Sequence, residues 1–488
     1  MIGHSFQKQL TRNSGIDGRG FPTPSLQVIS VASDIFTATG GLGEYALESY
    51  FTRGTFAYKD RYMMTATLRA DGSSKFHRDN RWGYFPSLSF GWNVSKEDFM
   101  GENEHDLKLR ASYGKTGNQD GIGQYAYQAL MSGGQNYGNQ SGISVSSFGN
   151  KDLHWEKADQ YDLGFDVSFA QRRVELSVDA YYKKTYDLLY NKPIHGTTGM
   201  TSIVSNIGSM LNKGLEFSLS TNFNFNALSW KSNFNIAHNT NRILSLLAET
   251  APIAIGDNRA LKVGQSIGAF YLFDWEGLYQ YDGEVPQEQF ELGVRAGDVK
   301  WKDVDNNNII NDNDRIVTGS SNPKFTGGWS NSFGYKGFQL DFQFTYAYGA
   351  DVYSAWKATG MANLGASFAK DLSYVENAWS GPGSTNVYPR PLIGLAHNTK
   401  NSTRFLDDGS FIRLRSLTLG YNFDKTSLRK AKLNGLRVFA NVDNLFLLSN
   451  YSGWDPEVNT NLDPRFYGVD LFGVPQPRTF SLGVNINL

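Results

Sequence analysis

A period-two alternation of apolar and polar residues recurs along this chain and restricts its fold more than any other feature. Leu88, Phe90 and Trp92 alternate with small or polar residues, and the same pattern returns in residues 161–169 and 338–348. Successive side chains of a strand point to opposite faces, so each stretch predicts a β-strand with one apolar face. We count roughly thirteen complete strands of about nine to eleven residues, the length that a tilted membrane-spanning strand requires.

The composition also favours an all-β chain. Aromatic residues make up 14% of the sequence and there are 51 glycines, which suits pleated strands joined by turns. No run approaches the roughly 18 apolar residues of a spanning helix. Lys and Arg (46) balance Asp and Glu (47), so no net field favours nucleic acid. The chain has no cysteine, which excludes a metal site made of thiolates.

Short and long connections alternate between the strands. The short or moderate ones are 58–61, 95–106, 170–173, 224–229, 335–337 and 424–434, and the long ones are 71–83, 115–158, 186–213, 240–323, 349–410 and 446–476. A soluble sandwich has no reason for this asymmetry, whereas an outer-membrane barrel has short periplasmic turns and long extracellular loops. The pattern therefore predicts an antiparallel transmembrane β-barrel, with Phe90 and Trp92 facing lipid.

One strand changes phase within its own length. In FIRLRSLTLGYNF, Ile412 and Leu414 give way to Leu417 and Leu419. One extra residue in a strand moves the following side chains to the opposite face. The switch predicts a β-bulge near Arg415.

Several segments, in order along the chain, resemble the SusC/RagA family of TonB-linked outer-membrane proteins of Bacteroidetes. They include LRADGSSKF followed by NRWGYFPS, then LKLRASYGKTGNQ, FIRLRSLTLGYNF and LRVFANVDNLF. The resemblance implies a large barrel plugged by an N-terminal domain in the outer membrane. It also implies import of oligosaccharides or peptides driven through the TonB complex, beneath a SusD-like surface lipoprotein that acts as a lid.

The resemblance covers the barrel portion of such a protein. Large plugged transporters have 22 strands, so roughly thirteen to fourteen strands make an incomplete barrel. We expect residues 1–488 to be its C-terminal part, without signal peptide, N-terminal extension, TonB-contacting segment or plug. By turn parity, Met1–Phe6 is the stub of an outward strand and residues 7–42 are an extracellular loop. Such a fragment, a truncated gene or one half of a split gene, would have two unpaired edge strands unless a partner supplied the rest.

A calcium-loop pattern stands out in DVDNNNIINDND, residues 303–314. An EF-hand-type loop takes oxygen ligands from positions 1, 3 and 5, a backbone carbonyl from position 7 and a carboxylate from position 12. The predicted ligands are Asp303, Asp305, Asn307, the carbonyl of Ile309, and Asp314. Position 6 is Asn308 rather than glycine, and no helical pattern flanks the loop. The alternative is an Asx-rich turn bonded to its own backbone.

No arrangement of residues indicates an enzyme or an organic cofactor. GQSIG, around Ser266, matches a nucleophile elbow but precedes a strand-like AFYLFDW rather than a helix. The glycines of GLGEYA (41–46) and GIGQYA (121–126) lie outside any βαβ pattern, so we expect them in loops. Two hypotheses remain. The first is the membrane part of a TonB-dependent importer, and the alternative is a secreted or surface β-rich glycan-binding protein.

Overall fold

Fourteen strands of the described chain pair with one another in sequence order and form a single sheet. The computed structural model describes residues 1–101, 105–138, 140–247, 251–361, 370–392, 396–424, 428, 433–461 and 463–487. The sheet strands are β1 (Ile2–Arg19), β2 (Asp34–Tyr58), β3 (Tyr62–Ser73), β4 (Trp82–Asn93), β5 (Asp106–Asn118), β6 (Glu156–Phe169), β7 (Val174–Tyr186), β8 (Ser209–Phe225), β9 (Leu228–Ser245), β10 (Phe325–Tyr335), β11 (Phe338–Tyr348), β12 (Phe411–Asn422), β13 (Gly435–Ser449) and β14 (Thr479–Asn487). This meander confirms the predicted all-β antiparallel fold and its strand number.

Smaller elements lie in the connections. The short strands are Leu130–Gly133, Ile143–Ser147, Leu189–Pro193, Ser202–Asn206, Ile253–Ala254, Ala260–Leu261, Phe270–Phe273, Trp275–Leu278, Val299–Trp301, Arg315–Thr318, Asp351–Ser354, Leu406–Asp408 and Val469–Asp470. The α-helices are Gln287–Glu291, Ala355–Met361 and Leu372–Asn377, and single 3₁₀ turns include Asp312–Asp314 and Thr403–Phe405. None of the helices in the described ranges is long and apolar enough to cross a membrane.

The chain falls into two compact units. The first comprises Met1–Asn93, Arg110–Asp162 and Lys183–Ser209, and the second comprises Val94–Leu109, Leu163–Tyr182 and Met210–Leu488. Each unit has buried apolar clusters, formed mainly by residues of its connections. The buried members are Phe76, Phe85, Ile122, Leu153 and Trp155 in the first unit, and Phe270, Leu272, Phe273, Leu278, Val299, Trp301, Tyr353 and Phe405 in the second.

The strand bounds confirm the alternation of short and long connections except at one place. On one side lie 59–61, 94–105, 170–173, 226–227, 336–337 and 423–434, and on the other lie 20–33, 74–81, 119–155, 187–208, 246–324, 349–410 and 450–478. The exception is 74–81, which is shorter than 94–105 and 423–434. Because neighbouring strands of a meander run in opposite directions, the connections of each set lie at the same ends of the strands.

The register separates an apolar face from a polar face. Between β10 and β11, Trp329 lies opposite Phe344, whereas the adjacent pair on the other face is Ser330 and Gln343. One polar side chain on the apolar face, Asn331, is partly paired. The indole N–H of Trp230 donates to its amide oxygen at 3.0 Å, whereas its buried amide nitrogen has no partner among the described residues. A polar group away from water is costly unless it is hydrogen-bonded, so the indole offsets part of the cost of burying Asn331.

Aromatic side chains gather at the short-turn ends of the apolar face. Beside the 336–337 turn, the ring centroids of Phe338 and Tyr421 are 4.7 Å apart. Beside the 59–61 turn, the Tyr62 and Trp92 rings are stacked at 6.4 Å. Aromatic belts of this kind mark the membrane–water boundary in outer-membrane barrels.

The predicted β-bulge is confirmed at Arg415. The pairing of β12 with β13 shifts register between Leu414 and Ser416. The extra residue leaves Arg415 free to contact a long connection: its guanidinium binds both carboxylate oxygens of Glu457 at 2.7 and 3.0 Å. Arg413 on the same strand pairs with the buried Asp455. The bulge therefore anchors the 450–478 connection to the sheet.

The prediction for the start of the chain is wrong. Residues 7–42, expected to be a loop, lie mostly in β1 and β2, which pair from Ile2 opposite Thr52 to Arg19 opposite Asp34, with only 20–33 between them. The 41–46 glycines, also expected in a loop, lie in β2. Cross-strand polar pairs hold this extension, such as Lys8 and Glu44 at 3.0 Å. In β1 the apolar residues of one face recur no more often than at every fourth position, as at Phe6 and Leu10 with Lys8 between them. The period-two signal is therefore interrupted, which explains the error.

Charge placed on the two faces should have different effects. Phe342→Arg puts a cation on the apolar face of β11 and should destabilise the folded protein in its membrane by about 2–4 kcal/mol, whereas Gln343→Arg on the polar face should cost much less. Phe342→Ala controls for lost aromatic packing. The measurement is the fraction of protein in outer membranes that migrates as a folded, heat-modifiable band. Equal loss from both arginine variants would contradict the assignment of faces.

Candidate metal centre

Two short strand pairs position the loop that contains the predicted calcium ligands. Val299–Trp301 precedes residues 303–314 and pairs with Trp275–Leu278. Arg315–Thr318 follows and pairs with Phe270–Phe273. Val299 and Trp301 are buried with Leu278 of their partner strand, and Phe270 and Leu272 are buried with Tyr353 and Phe405 of another connection. Both ends of the loop are therefore fixed by apolar packing.

Three of the predicted ligands meet in space. Asp303, Asp305 and Asp314 each offer a carboxylate oxygen, and these oxygens lie within 4.8 Å of one another. Asp314 is fully buried, Asp303 is half-buried and Asp305 is exposed. Like charges at this separation repel one another. The arrangement is one that a hard cation with oxygen ligands would stabilise.

Backbone N–H groups orient the carboxylates. Asp303 accepts hydrogen bonds from the amides of Asn307 at 3.2 Å and Asn308 at 2.6 Å. Asp314 accepts from Val304 and Asn311, each at 2.8 Å. Asn308 has φ of 61°, so it adopts the left-handed conformation for which a glycine is usual at position 6. The chain thus forms the sharp turn that the pattern requires.

The pKa values of the two outer carboxyl groups shift in opposite directions. Burial and the neighbouring charge of Asp314 raise the pKa of Asp305. Burial also acts to raise the pKa of Asp303, but hydrogen bonds from the amides of Asn308 and Asn307 outweigh it and lower that pKa. The N–H groups therefore favour the charged form of Asp303 that a cation needs.

The other two predicted ligands adjoin the three carboxylates. The Asn307 amide donates to Asp305 at 2.9 Å, and its oxygen accepts from the Ile309 N–H at 2.7 Å. The Ile309 carbonyl accepts from the side chain of Asn311 at 3.4 Å. These are the bonds of an Asx-rich turn, so the turn and the carboxylate group occur in the same loop. The residue types suit Ca²⁺, which prefers carboxylate, amide and carbonyl oxygens.

A fourth acidic residue of the loop is already neutralised. The Asp312 carboxylate accepts from the guanidinium of Arg315 at 3.0 Å. Asp312 is not among the three clustered carboxylates. It therefore provides a matched control for experiments on the other three.

Sequence reasoning missed a buried ion pair just before this loop. Asp298 is fully buried, and both its oxygens accept from the Arg390 guanidinium at 2.8 Å. Asn398 and the backbone N–H of Arg295 donate to the same carboxylate at 2.8 Å. The hydrogen bonds to Asp298 raise the pKa of Arg390. Because the partners are far apart in sequence, no local motif indicates this contact between the 246–324 and 349–410 connections.

A buried arginine joins two connections by hydrogen bonds to backbone carbonyls and not to a carboxylate. Arg259 is fully buried, its guanidinium lies 3.5 Å from the centroid of the Phe270 ring, and burial lowers its pKa to about 9. It donates to the carbonyls of Gly268 and Tyr467. The 246–324 and 450–478 connections are therefore tied together by backbone carbonyls.

The hydrogen bonds of Ser266, at the centre of GQSIG, connect two parts of the chain. Its hydroxyl contacts the side chains of Asn322 at 2.7 Å and Asn241 at 3.3 Å. The Gly268 N–H donates to the same hydroxyl. Two amides and a backbone N–H cannot act as a general base, and these contacts join a turn of the long connection to the end of β9.

A buried histidine in the same region predicts a pH dependence. His397 contacts the Val299 carbonyl through Nε2 at 2.7 Å, and burial lowers its pKa. The folded state therefore favours neutral His397, so its contribution is present above pH about 6.5 and is lost, by at most about 1.4 kcal/mol per pH unit, as the pH falls further. Protease protection of residues 246–324 in membranes should decrease between about pH 7 and pH 5.5.

Two variants separate this histidine from other titrating groups. His397→Gln keeps an amide donor for Val299 but does not titrate, so it should reduce the pH dependence. His195→Gln, at an exposed turn, should leave it unchanged. An unaltered pH profile in His397→Gln would show that another group is responsible.

Comparison with known proteins places this geometry in a family. Residues 3–445 match the family model described as TonB dependent receptor-like, beta-barrel. TonB-dependent receptor P39 of Formosa agariphila is 31% identical over an alignment covering 100% of this chain and 51% of that protein. TonB-dependent receptor SusC of Bacteroides thetaiotaomicron is 31% identical, covering 90% of this chain and 43% of its own length. The chain thus spans about half the length of the curated relatives it matches.

Solved structures share the fold. The RagAB peptide transporter superposes with a TM-score of 0.83 and 24% identity, covering 99% of this chain and 52% of that one. A structure of the RagAB peptide importer in its open-open state gives a TM-score of 0.82. These findings confirm the SusC/RagA resemblance. The chain belongs to the TonB-dependent receptor-like β-barrel family.

Proposed function

We propose that this chain is the outer-membrane-spanning part of a TonB-dependent nutrient importer. The observation that carries the proposal is the meander with one apolar face, short turns at one end and long folded connections at the other. In an outer membrane, the apolar face, including Phe90 and Trp92, contacts lipid, the short turns are periplasmic and the long connections are extracellular. Residues 1–488 are, on this proposal, the C-terminal part of the barrel.

The cargo is an oligosaccharide or a peptide. The RagAB peptide transporter, which shares the fold, supports a peptide, and the resemblance to the SusC/RagA family extends the range to oligosaccharides. A SusD-like surface lipoprotein covers the long connections, and the TonB complex supplies energy through an N-terminal part of the protein. No catalytic step is needed for such a role. The alternative, a secreted or surface glycan-binding protein, would remain soluble without detergent.

Uptake by the native host tests the import proposal. Deletion of the gene should abolish uptake of labelled oligosaccharides or of labelled peptides, and a protonophore should have the same effect on wild-type cells because import through TonB uses the proton gradient. Restoring the gene is the control. Undiminished uptake of both classes in the deletion strain would overturn the proposal, and a detergent-independent soluble protein would favour the alternative.

The carboxylate loop is proposed to hold a structural calcium ion on the extracellular side. Asp303, Asp305 and Asp314 supply the charge, and the Asn307 side chain and Ile309 carbonyl complete the ligands. Binding would relieve repulsion among carboxylates whose oxygens lie within 4.8 Å and would order the loop. With a short Asp at position 12 and no glycine at position 6, the expected Kd is about 10⁻⁴–10⁻³ M.

Calorimetry on detergent-extracted protein tests the calcium site. After chelator treatment, millimolar calcium should give binding heat and protect residues 246–324 from protease. Asp303→Asn should weaken binding at least about ten-fold, since it removes one of three charged ligands. Asp312→Asn, which alters the carboxylate paired with Arg315, should bind as wild type does. Absence of heat, or equal heat from Asp303→Asn, would leave only an Asx turn.

A further inference from the structure

A polar cavity lies at the short-turn ends of β9 to β12. Its volume is about 400 Å³. The polar side chains that line it are Ser229, Lys231, Ser332, Lys336, Gln339 and Asn422. Neither the metal loop nor the buried ion pairs described above contribute to it.

The cavity belongs to the polar face of the sheet. Lys231 pairs with Ser332 across β9 and β10, whereas the preceding residue Trp230 pairs with Phe333 on the apolar face. Because successive side chains alternate between faces, Ser229, Lys231, Ser332 and Gln339 lie on the polar face. Tyr335 and Phe338, which flank the 336–337 turn, also line the cavity. The cavity therefore lies mainly on the polar face and reaches the turn.

The charge of the cavity is positive and unbalanced. Lys231 and Lys336 line it, and no carboxylate is among the described lining residues. The carboxylate next along the polar face of β11, Asp341, accepts from Gln339 at 3.2 Å and lies 4.0 Å from the Arg437 guanidinium. That acidic group is already engaged by its neighbours. Two lysines in a depression attract a ligand with negative charge.

The extent of the lining indicates the kind of ligand. Its residues come from four neighbouring strands, which lie about 4.8 Å apart, so the cavity spans roughly 14 Å across the sheet. A single small anion occupies only a fraction of this length, whereas about four residues of extended chain match it. Hydroxyl and amide groups between the lysines can hydrogen-bond a peptide backbone.

We propose that this cavity, defined by Lys231 and Lys336, binds an acidic peptide segment that reaches the polar face from the short-turn side. Its carboxylates pair with the two lysines, and its backbone bonds to Ser229, Ser332 and Gln339. The short-turn side is periplasmic only if the proposed function is correct. Peptide binding by the cavity does not require import. Loss of binding would therefore contradict only the cavity proposal, and undiminished uptake in the deletion strain would contradict only the import proposal.

Fluorescence anisotropy on protein extracted in detergent from its outer membrane tests the proposal. The probe is a labelled octapeptide of alternating Glu and Ser, and the control peptide alternates Gln and Ser. The acidic peptide should bind, with an affinity that falls as salt rises, and the neutral peptide should bind at least about ten-fold more weakly. Equal affinity for both peptides, or no binding of the acidic one, would overturn the proposal.

Matched variants localise the binding. Lys231→Gln and Lys336→Gln should each weaken binding by up to about five-fold, and the double variant by more, whereas arginine at either position should restore it. Lys59→Gln is the control: Lys59 lies over Tyr58 at a short turn as Lys336 lies over Tyr335, at 5.4 and 5.3 Å, but outside the cavity. An equal loss in Lys59→Gln, or no loss in the double variant, would contradict the site.

Discussion

Backbone hydrogen bonding is the constraint on which the rest of this structure depends. A chain that faces lipid must pair its backbone N–H and C=O groups internally, which leaves helices or paired strands. With aromatic and glycine residues rather than long apolar runs, this chain uses strands, each paired with its neighbours in sequence. A side chain on the apolar face meets the same demand in part, because the amide oxygen of Asn331 accepts from the Trp230 indole.

The connections at the two ends of the strands differ in length and in how much they bury. At one end the turns are as short as 226–227 and 336–337, too few residues to form a buried core. At the other, the 246–324 and 349–410 connections bury apolar clusters and the Asp298–Arg390 pair. Removing one partner of such a pair leaves an uncompensated buried charge. The described parts of these connections therefore have buried apolar and charged groups of their own, and the carboxylate loop is held between them.

The features that the sequence predicts are those with a local pattern. The strands, the alternation of connection lengths and the bulge at Arg415 all follow from side-chain period, and the three carboxylates of residues 303–314 lie close in sequence as well as in space. The paired strands through residues 7–42 were missed because charged and polar residues such as Lys8 interrupt the apolar period of β1. Asp298 was missed because its partner Arg390 lies in another connection, and only tertiary structure brings them together.

Connection length also bears on the order of assembly. The strands joined by 226–227 and by 336–337 make contacts of low sequence separation, so these hairpins can form within microseconds. Pairing β9 with β10 instead closes the 246–324 segment, whose entropic cost grows with its length. Internal contacts of that segment, such as the pairing of Phe270–Phe273 with Arg315–Thr318, shorten the effective loop. The hairpins would thus form first, and residues 246–324 would fold next. Their folding brings β9 and β10 close together, so the two hairpins pair last.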